Sequence, residues 1–444
     1  MDQIDFRKVF FENLDDLKNL LAIPSMYDEN SVSKDMPYGK RVNDALLFMK
    51  DLAIRDGFEV KEYDGYAISI EHGEGKRIDI ACHLDVVAAK KEDFNIRVEG
   101  DTLYGRGSDD MKTPLFLNYL CLRMLKQQYP EFKNKIRLVF GTDEERTMDD
   151  MHYYLSKVDA PSFAYTPDGS FPIGIGEKGA IMWTLTGEYE GKIKTLDAGN
   201  QCNIVSSYAH CVIKDSDLDR VNKYIALNYI DGKAKLVDDE LDITVNGVKA
   251  HASVPFLGHS ATIDLLKLIA DLYDDEICKS LYDNYANYYG AGFNNYVSDD
   301  RMKFLSVNLG ILKIEDDKVF GQVDCRYPVG KTALKLTEDL KKVSKVNVSL
   351  DYNDDPTMCS LDDVYVKTLY DAYQKVTGNF ELEPVVSGGV SYSKVFKHCV
   401  SYGPNQIGKL STAHQDGEHI SITDAIEWFK IYYEAIKNLA LLEV

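Results

Sequence analysis

The chain has 444 residues, more than the ~250–300 at which a single hydrophobic core stops growing, so two domains are expected. Hydrophobic residues supply 45% and charged residues 28%, a globular mixture that argues against long disordered or fibrous regions. With 51 Lys and Arg against 72 Asp and Glu the net charge is −21, and a surface of that sign repels nucleic-acid phosphates and anionic membranes.

In chain order, residues 1–21 are acidic and amphipathic, with no basic n-region or small-residue cleavage site. They predict one N-terminal helix of a cytoplasmic protein. No apolar run approaches the ~18 residues of a membrane span. The eight cysteines form no C-x-x-C, and without a secretory signal they are expected to be reduced and mostly buried. Residues 78–81 alternate as a strand and run into Cys82-His83-Leu84-Asp85. Residues 114–128 are apolar at helical spacing, with Thr113 as the expected N-cap and Pro114 at the first helical position. The strand 136–140 runs into Gly141-Thr142-Asp143-Glu144-Glu145, and the strand 162–165 into Thr166-Pro167-Asp168-Gly169. Strands interleaved with helices predict an α/β layer with a largely parallel sheet.

From about Lys178 the texture becomes α+β. Asn246-Gly247 predicts a type I′ hairpin, helices are expected near 260–275 and 332–344, and a strand over 321–327. The Tyr/Asn-rich stretch 282–296 reads as an exposed insertion. A helix over 364–376, a turn over 387–391 and a terminal helix over 424–442 return to the first architecture. The expected division is a first domain of 1–180 and 355–444, interrupted by a second domain of 181–354.

Three predicted strands thus end in clusters of His, Asp or Glu at their carboxyl side, the edge where open α/β sheets bind ligands. Each cluster alone has a plain structural reading. A lone histidine at a strand end is usually a satisfied core residue, and with 72 acids many adjacent pairs are only solvated faces. The segment from Arg106 to Lys112 reads as a turn capped by acids before a helix, and it lacks the spacing of a phosphate loop. His251-Ala252-Ser253-Val254-Pro255 reads as a strand exit, and His414 as a surface loop residue. Against this, carboxylates gathered at a buried rim are costly unless something compensates them.

Taken together, His83-x-Asp85, Arg106-Gly107-x-x-Asp110-x-Lys112, Gly141-Thr142-Asp143-Glu144-Glu145, Pro167-Asp168-Gly169-Ser170-Phe171-Pro172, His251-Ala252-Ser253-x-Pro255 and His414-Gln415 resemble a known family. It is the dinuclear-zinc aminoacylase, carboxypeptidase G and dipeptidase family, and the PepV-type bacterial dipeptidases in particular. The resemblance runs over nearly the whole chain. It implies an α/β catalytic domain, with a mixed, largely parallel sheet flanked by helices, interrupted by an α+β (ferredoxin-like) lid.

The resemblance also implies a site. His83, Asp110 and Asp168 would hold one divalent metal ion, and Asp110, Glu145 and His414 a second, with Asp110 bridging. Such a donor set suits zinc, with manganese or cobalt as alternatives. Glu144 would be the general base, Asp85 would orient His83, and His251 would reach from the lid to the oxyanion. Asn203 and Arg326 match lid positions that hold substrate, and Gly388 lies in a Gly-rich loop facing it. The expected partner is a small peptide, with no nucleic acid or membrane, and the chain would be a monomer or a lid-mediated homodimer. Aspartate at 168 tends to accompany dipeptidases in this family. An N-acyl-amino-acid deacylase on the same site is the alternative, and a non-catalytic peptide-binding relative a more distant one. Thr113, the stretch 146–150 and Val205-Ser206 depart from the family pattern without touching a ligand or the base.

Overall fold

Short apolar runs become the centre of a nine-stranded mixed sheet. The strands Lys135–Gly141, Arg77–His83, Phe163–Thr166 and Cys399–Ser401 lie side by side and parallel. The sheet turns antiparallel at its margins, through Val60–Tyr63 and Ala67–His72 on one side and Gly174–Glu177 on the other. Successive side chains point to opposite faces. Ile78, Ile80 and Cys82 therefore enter the main core, while Ala81 joins a smaller cluster with Val139, Ala164 and Tyr392. The computed structural model describes residues 4–443. They divide into a first unit, residues up to Gly176 with Met358–Ser387 and Ser391 onward, and a second unit, Glu177–Thr357 with Gly388–Val390.

Helices Lys112–Gln128, Val364–Thr377 and Ile422–Leu441 supply most of the apolar partners of the main core. The first of these begins earlier than expected. Met111, not Thr113, is its N-cap, and Thr113 is buried inside the first turn. In this first turn Lys112 is drawn into the interior, where its Nζ donates to the carbonyls of Leu20 and Ile23. Pro114 is still accommodated, because the first four helical N–H groups have no partner within the helix. The single N-terminal helix is likewise two, Phe6–Glu12 and Leu14–Leu21. Between them the Asn13 amide donates to Val9 O (2.7 Å) and accepts from Arg123 (2.8 Å), which fixes the break.

The second unit is α+β. Its eight-stranded antiparallel sheet carries helices Leu218–Leu227, Ala261–Tyr273, Glu276–Tyr285 and Ala333–Val343 over a separate core. The expected hairpin at Asn246-Gly247 is not there. Strand Glu240–Asn246 ends at that point, and the hairpin lies one strand earlier, at Asp238-Asp239, whose φ values of 50° and 62° are those of a type I′ turn. Gly247 is needed for packing instead, since a Cβ there would meet Ala261 N at 2.8 Å and Ser206 O at 2.9 Å. The stretch 282–296 is not an exposed insertion either. Tyr285 and Phe293 are buried in the core, Phe293 edge-on to Trp183, and the Asn295 amide is satisfied by Phe293 O. Among the described residues no helix is long and apolar enough to cross a membrane, and all eight cysteines are free.

Candidate metal centre

The parallel register brings strand ends to one rim, with His83 paired directly with Gly141 and the strand Phe163–Thr166 ending beside them. His83 is fully buried, and its Nδ1 lies 2.9 Å from the main-chain carbonyl of Asp85. A carbonyl only accepts, so Nδ1 carries a proton and Nε2 is the nitrogen turned to the carboxylates. Nε2 faces Asp110 Oδ1 at 3.1 Å and Asp168 Oδ2 at 3.8 Å. Asp110 turns its other oxygen to His414, whose Nε2 is 3.0 Å from Asp110 Oδ2 and 3.0 Å from Glu145 Oε1. His414 reaches this position from a loop, with a left-handed φ of 63°. Two triads result, His83–Asp110–Asp168 and Asp110–Glu145–His414, and within each the donor atoms lie within 4.8 Å of one another. Glu144 belongs to neither, although its Oε2 is 4.0 Å from His83 Nε2.

Electrostatics show what such a rim needs. Burial pushes the Glu144 carboxyl well above the usual carboxylate range, and the charges of Asp168, Glu145 and Asp110 push it further. Burial raises Glu145 as well. Burial disfavours a charged His83, yet Asp110 and the surrounding acids outweigh it and hold the imidazole well above its usual value. Four carboxylates sharing two imidazoles in a low-dielectric pocket are a poor arrangement for protons and a good one for divalent cations. Mixed imidazole and carboxylate donors suit zinc or a similar first-row ion. The residues present therefore fit two such ions.

Positions around the rim are set by groups the sequence did not single out, or singled out for another task. Asp85 orients His83 through its carbonyl oxygen rather than through its carboxylate, which is 3.6 Å from Nδ1. The carboxylate instead accepts the N–H groups of Glu144 (3.2 Å) and Glu145 (3.0 Å). Buried Asp150 accepts the N–H groups of Thr142 and Asp143 and the hydroxyl of Tyr392. Gly141 must be glycine, because a Cβ would run into Tyr392 Oη and the Asp150 carboxylate. Glu418, paired with Arg106 at 2.6 Å, accepts the N–H groups of Asp109 (2.8 Å) and Asp110 (3.1 Å). Nothing in the sequence marks Asp150 or Glu418 among so many acids.

The second unit gathers the remaining residues. Asn203 O accepts the N–H of Ala252, next to His251. His251 Nδ1 accepts the N–H of Ser253 (3.2 Å), so the ring proton sits on Nε2. Burial and the nearby Arg326 lower the His251 pKa and favour the neutral ring. Arg326 is buried and already engaged. Its Nε and Nη2 donate to the two oxygens of Asp324 at 2.8 Å each, and Nη1 donates to Gly388 O at 3.2 Å. A Cβ on Gly388 would meet Ser253 Cβ at 2.6 Å, so that loop approaches the His251 segment closely.

Paired imidazole–carboxylate triads at the carboxyl rim of an α/β sheet are the kind of donor set a metal-dependent hydrolase would use. Residues 80–438 match the peptidase family M20/M25/M40, and the chain belongs to that family. It is therefore a metallopeptidase, of a family that works with divalent metal ions. A Staphylococcus epidermidis protein named "Putative dipeptidase" is 28% identical, the match covering 97% of this chain and 98% of the relative. Among solved structures, human carnosine dipeptidase 1 superposes with a TM-score of 0.59 at 16% identity, over 98% of each chain. An M20 family metallo-carboxypeptidase from Sulfolobus solfataricus gives 0.56 at 18% identity, over 96% of this chain and 98% of its own. Those two share the fold.

Proposed function

We propose that this metallopeptidase is a dipeptidase, cleaving the peptide bond of free dipeptides with two divalent ions, zinc in the first instance. The observation that carries the reading is Asp110, which presents one oxygen to each triad. When bound, the two ions would supply a water acidified towards neutrality and a polarised scissile carbonyl. Glu144 is in neither triad and takes the general-base role. Its Oε2 accepts the proton of the attacking water and passes it to the departing amine nitrogen. Asp85 holds the Glu144 main chain in place for this transfer.

We read the second unit as a lid. Its His251, with the proton on Nε2, is a donor suited to a developing oxyanion, a contact worth about 3–4 kcal/mol where it is lost. Arg326 and Asn203 hold the substrate, its carboxylate meeting the Arg326 N–H groups left over from Asp324 and Gly388, and Gly388 lets its loop approach. A guanidinium for the carboxylate and carboxylates for the amine are the groups a short zwitterion would need. Aspartate at 168 and the dipeptidase name of the full-length relative support the same substrate class. The test is amide hydrolysis by zinc-loaded protein on free dipeptides and on the same compounds N-acetylated. Cleavage of the free set is expected. Cleavage of the acetylated set alone would make the protein a deacylase.

A further inference from the structure

Asp109 precedes the bridging Asp110, is only 7% exposed, and belongs to neither triad. Its Oδ2 accepts three hydrogen bonds from one short segment: Ser411 Oγ (2.6 Å), Thr412 N (2.9 Å) and Ala413 N (3.1 Å). The next residue is His414. The reverse contacts come from the same loop, where Glu418 holds the N–H groups of Asp109 and Asp110 and Arg106 donates to Gln415 O (3.2 Å). Two segments some 300 residues apart in sequence thus grip each other on both sides of His414. The loop needs such a grip. His414 is half-exposed and left-handed, and no regular element carries it.

We infer that Asp109 is a positioning residue for the Asp110–Glu145–His414 triad, so that the second metal position depends on a carboxylate that touches no metal. Asp110 faces His83 from the same segment, but the three hydrogen bonds that Asp109 Oδ2 accepts all come from the His414 loop, whereas His83 stands on a strand and Asp168 at a strand end. Loss of Asp109 is therefore expected to act on one position and spare the other. Groups of this kind, which hold a ligand without binding the ion, typically change metal affinity about 10–100-fold when removed.

The inference rests on the two-metal reading, and zinc titration of the metal-free full-length protein by calorimetry separates the two. Wild type is expected to take up two equivalents; fewer than two would overturn the two-metal reading itself. Asp109→Ala is expected to keep one equivalent at wild-type affinity and to bind the second about 10–100-fold more weakly. Asp109→Asn retains an acceptor oxygen at the same place and is expected to recover most of that loss. Ser411→Ala removes one of the three donors without disturbing the core, and is expected to weaken the second equivalent by a smaller factor, about threefold. Should Asp109→Ala fail to fold, Asp109→Asn and Ser411→Ala decide by the same measurement. Two equivalents at wild-type affinity in the variants, or equal weakening of both, would overturn the positioning role.

Discussion

Glu144 and Glu145 are neighbours in the chain with different surroundings. Glu145 is turned to His414 at 3.0 Å, while Glu144 stands 4.0 Å from His83 outside both triads. Glu144→Gln preserves shape and removes only the proton acceptor. It is expected to retain both metals by elemental analysis while kcat falls by about 100-fold or more; unaltered turnover would remove Glu144 from the mechanism. Asp110→Ala takes an oxygen from each triad, and the same analysis is expected to show metal lost from both positions. At this scale the sequence was informative where an acid or histidine followed an apolar strand, as at His83, Glu145 and Asp168. It was silent on Asp150, Glu418 and Asp109, because their importance comes from which N–H groups the fold aims at them. Asp85 was recognised, but a one-dimensional reading cannot say whether its carbonyl or its carboxylate meets the imidazole.

Between elements, much rests on side chains at helix ends. Asp56 follows helix Lys40–Arg55 and accepts from Tyr119 (2.6 Å) and Arg123 (2.8 Å) on helix Lys112–Gln128. Burial raises its carboxyl, but hydrogen bonds from Arg55, Tyr119 and Arg123 more than offset this and hold it at about 2. A carboxyl depressed in the folded state contributes stability that is full above its unfolded value of ~3.9 and fades as pH falls towards the folded one. Asp56→Asn is therefore expected to lower the melting temperature at pH 7, with the gap to wild type closing between pH 4 and 2 in a thermal-melt series. Gly247→Ala forces a methyl against main-chain atoms of three residues, and a urea titration is expected to show a loss of about 1–3 kcal/mol. Strands and long helices were legible because their apolar periods are strong. The hairpin was misplaced because Asn-Gly is a local signal, and here tight packing, rather than a turn, uses the glycine.

For the whole chain, the first and second units have separate hydrophobic cores, and all five candidate metal donors lie in the first. A ligand that binds only the native form stabilises it by RT ln(1 + [L]/Kd), about 4 kcal/mol at a thousandfold excess over Kd. Scanning calorimetry is expected to resolve two transitions, with zinc raising the first unit's and leaving the other in place. A single transition that moves as a whole would show the units to be energetically one. The interruption of one fold by another also has a meaning in time. Glu177 N and Thr357 Oγ1 are 3.3 Å apart, so the long segment of the inserted unit begins and ends at one place and can close on itself as soon as it emerges from the ribosome, with only Gly388–Val390 to follow. The first unit must wait for strand Cys399–Ser401 and helix Ile422–Leu441, and His414, the last of the candidate metal donors, arrives between them. During synthesis the inserted unit is thus the elder, and on the proposed two-metal site no hydrolysis would begin before the His414 loop is made.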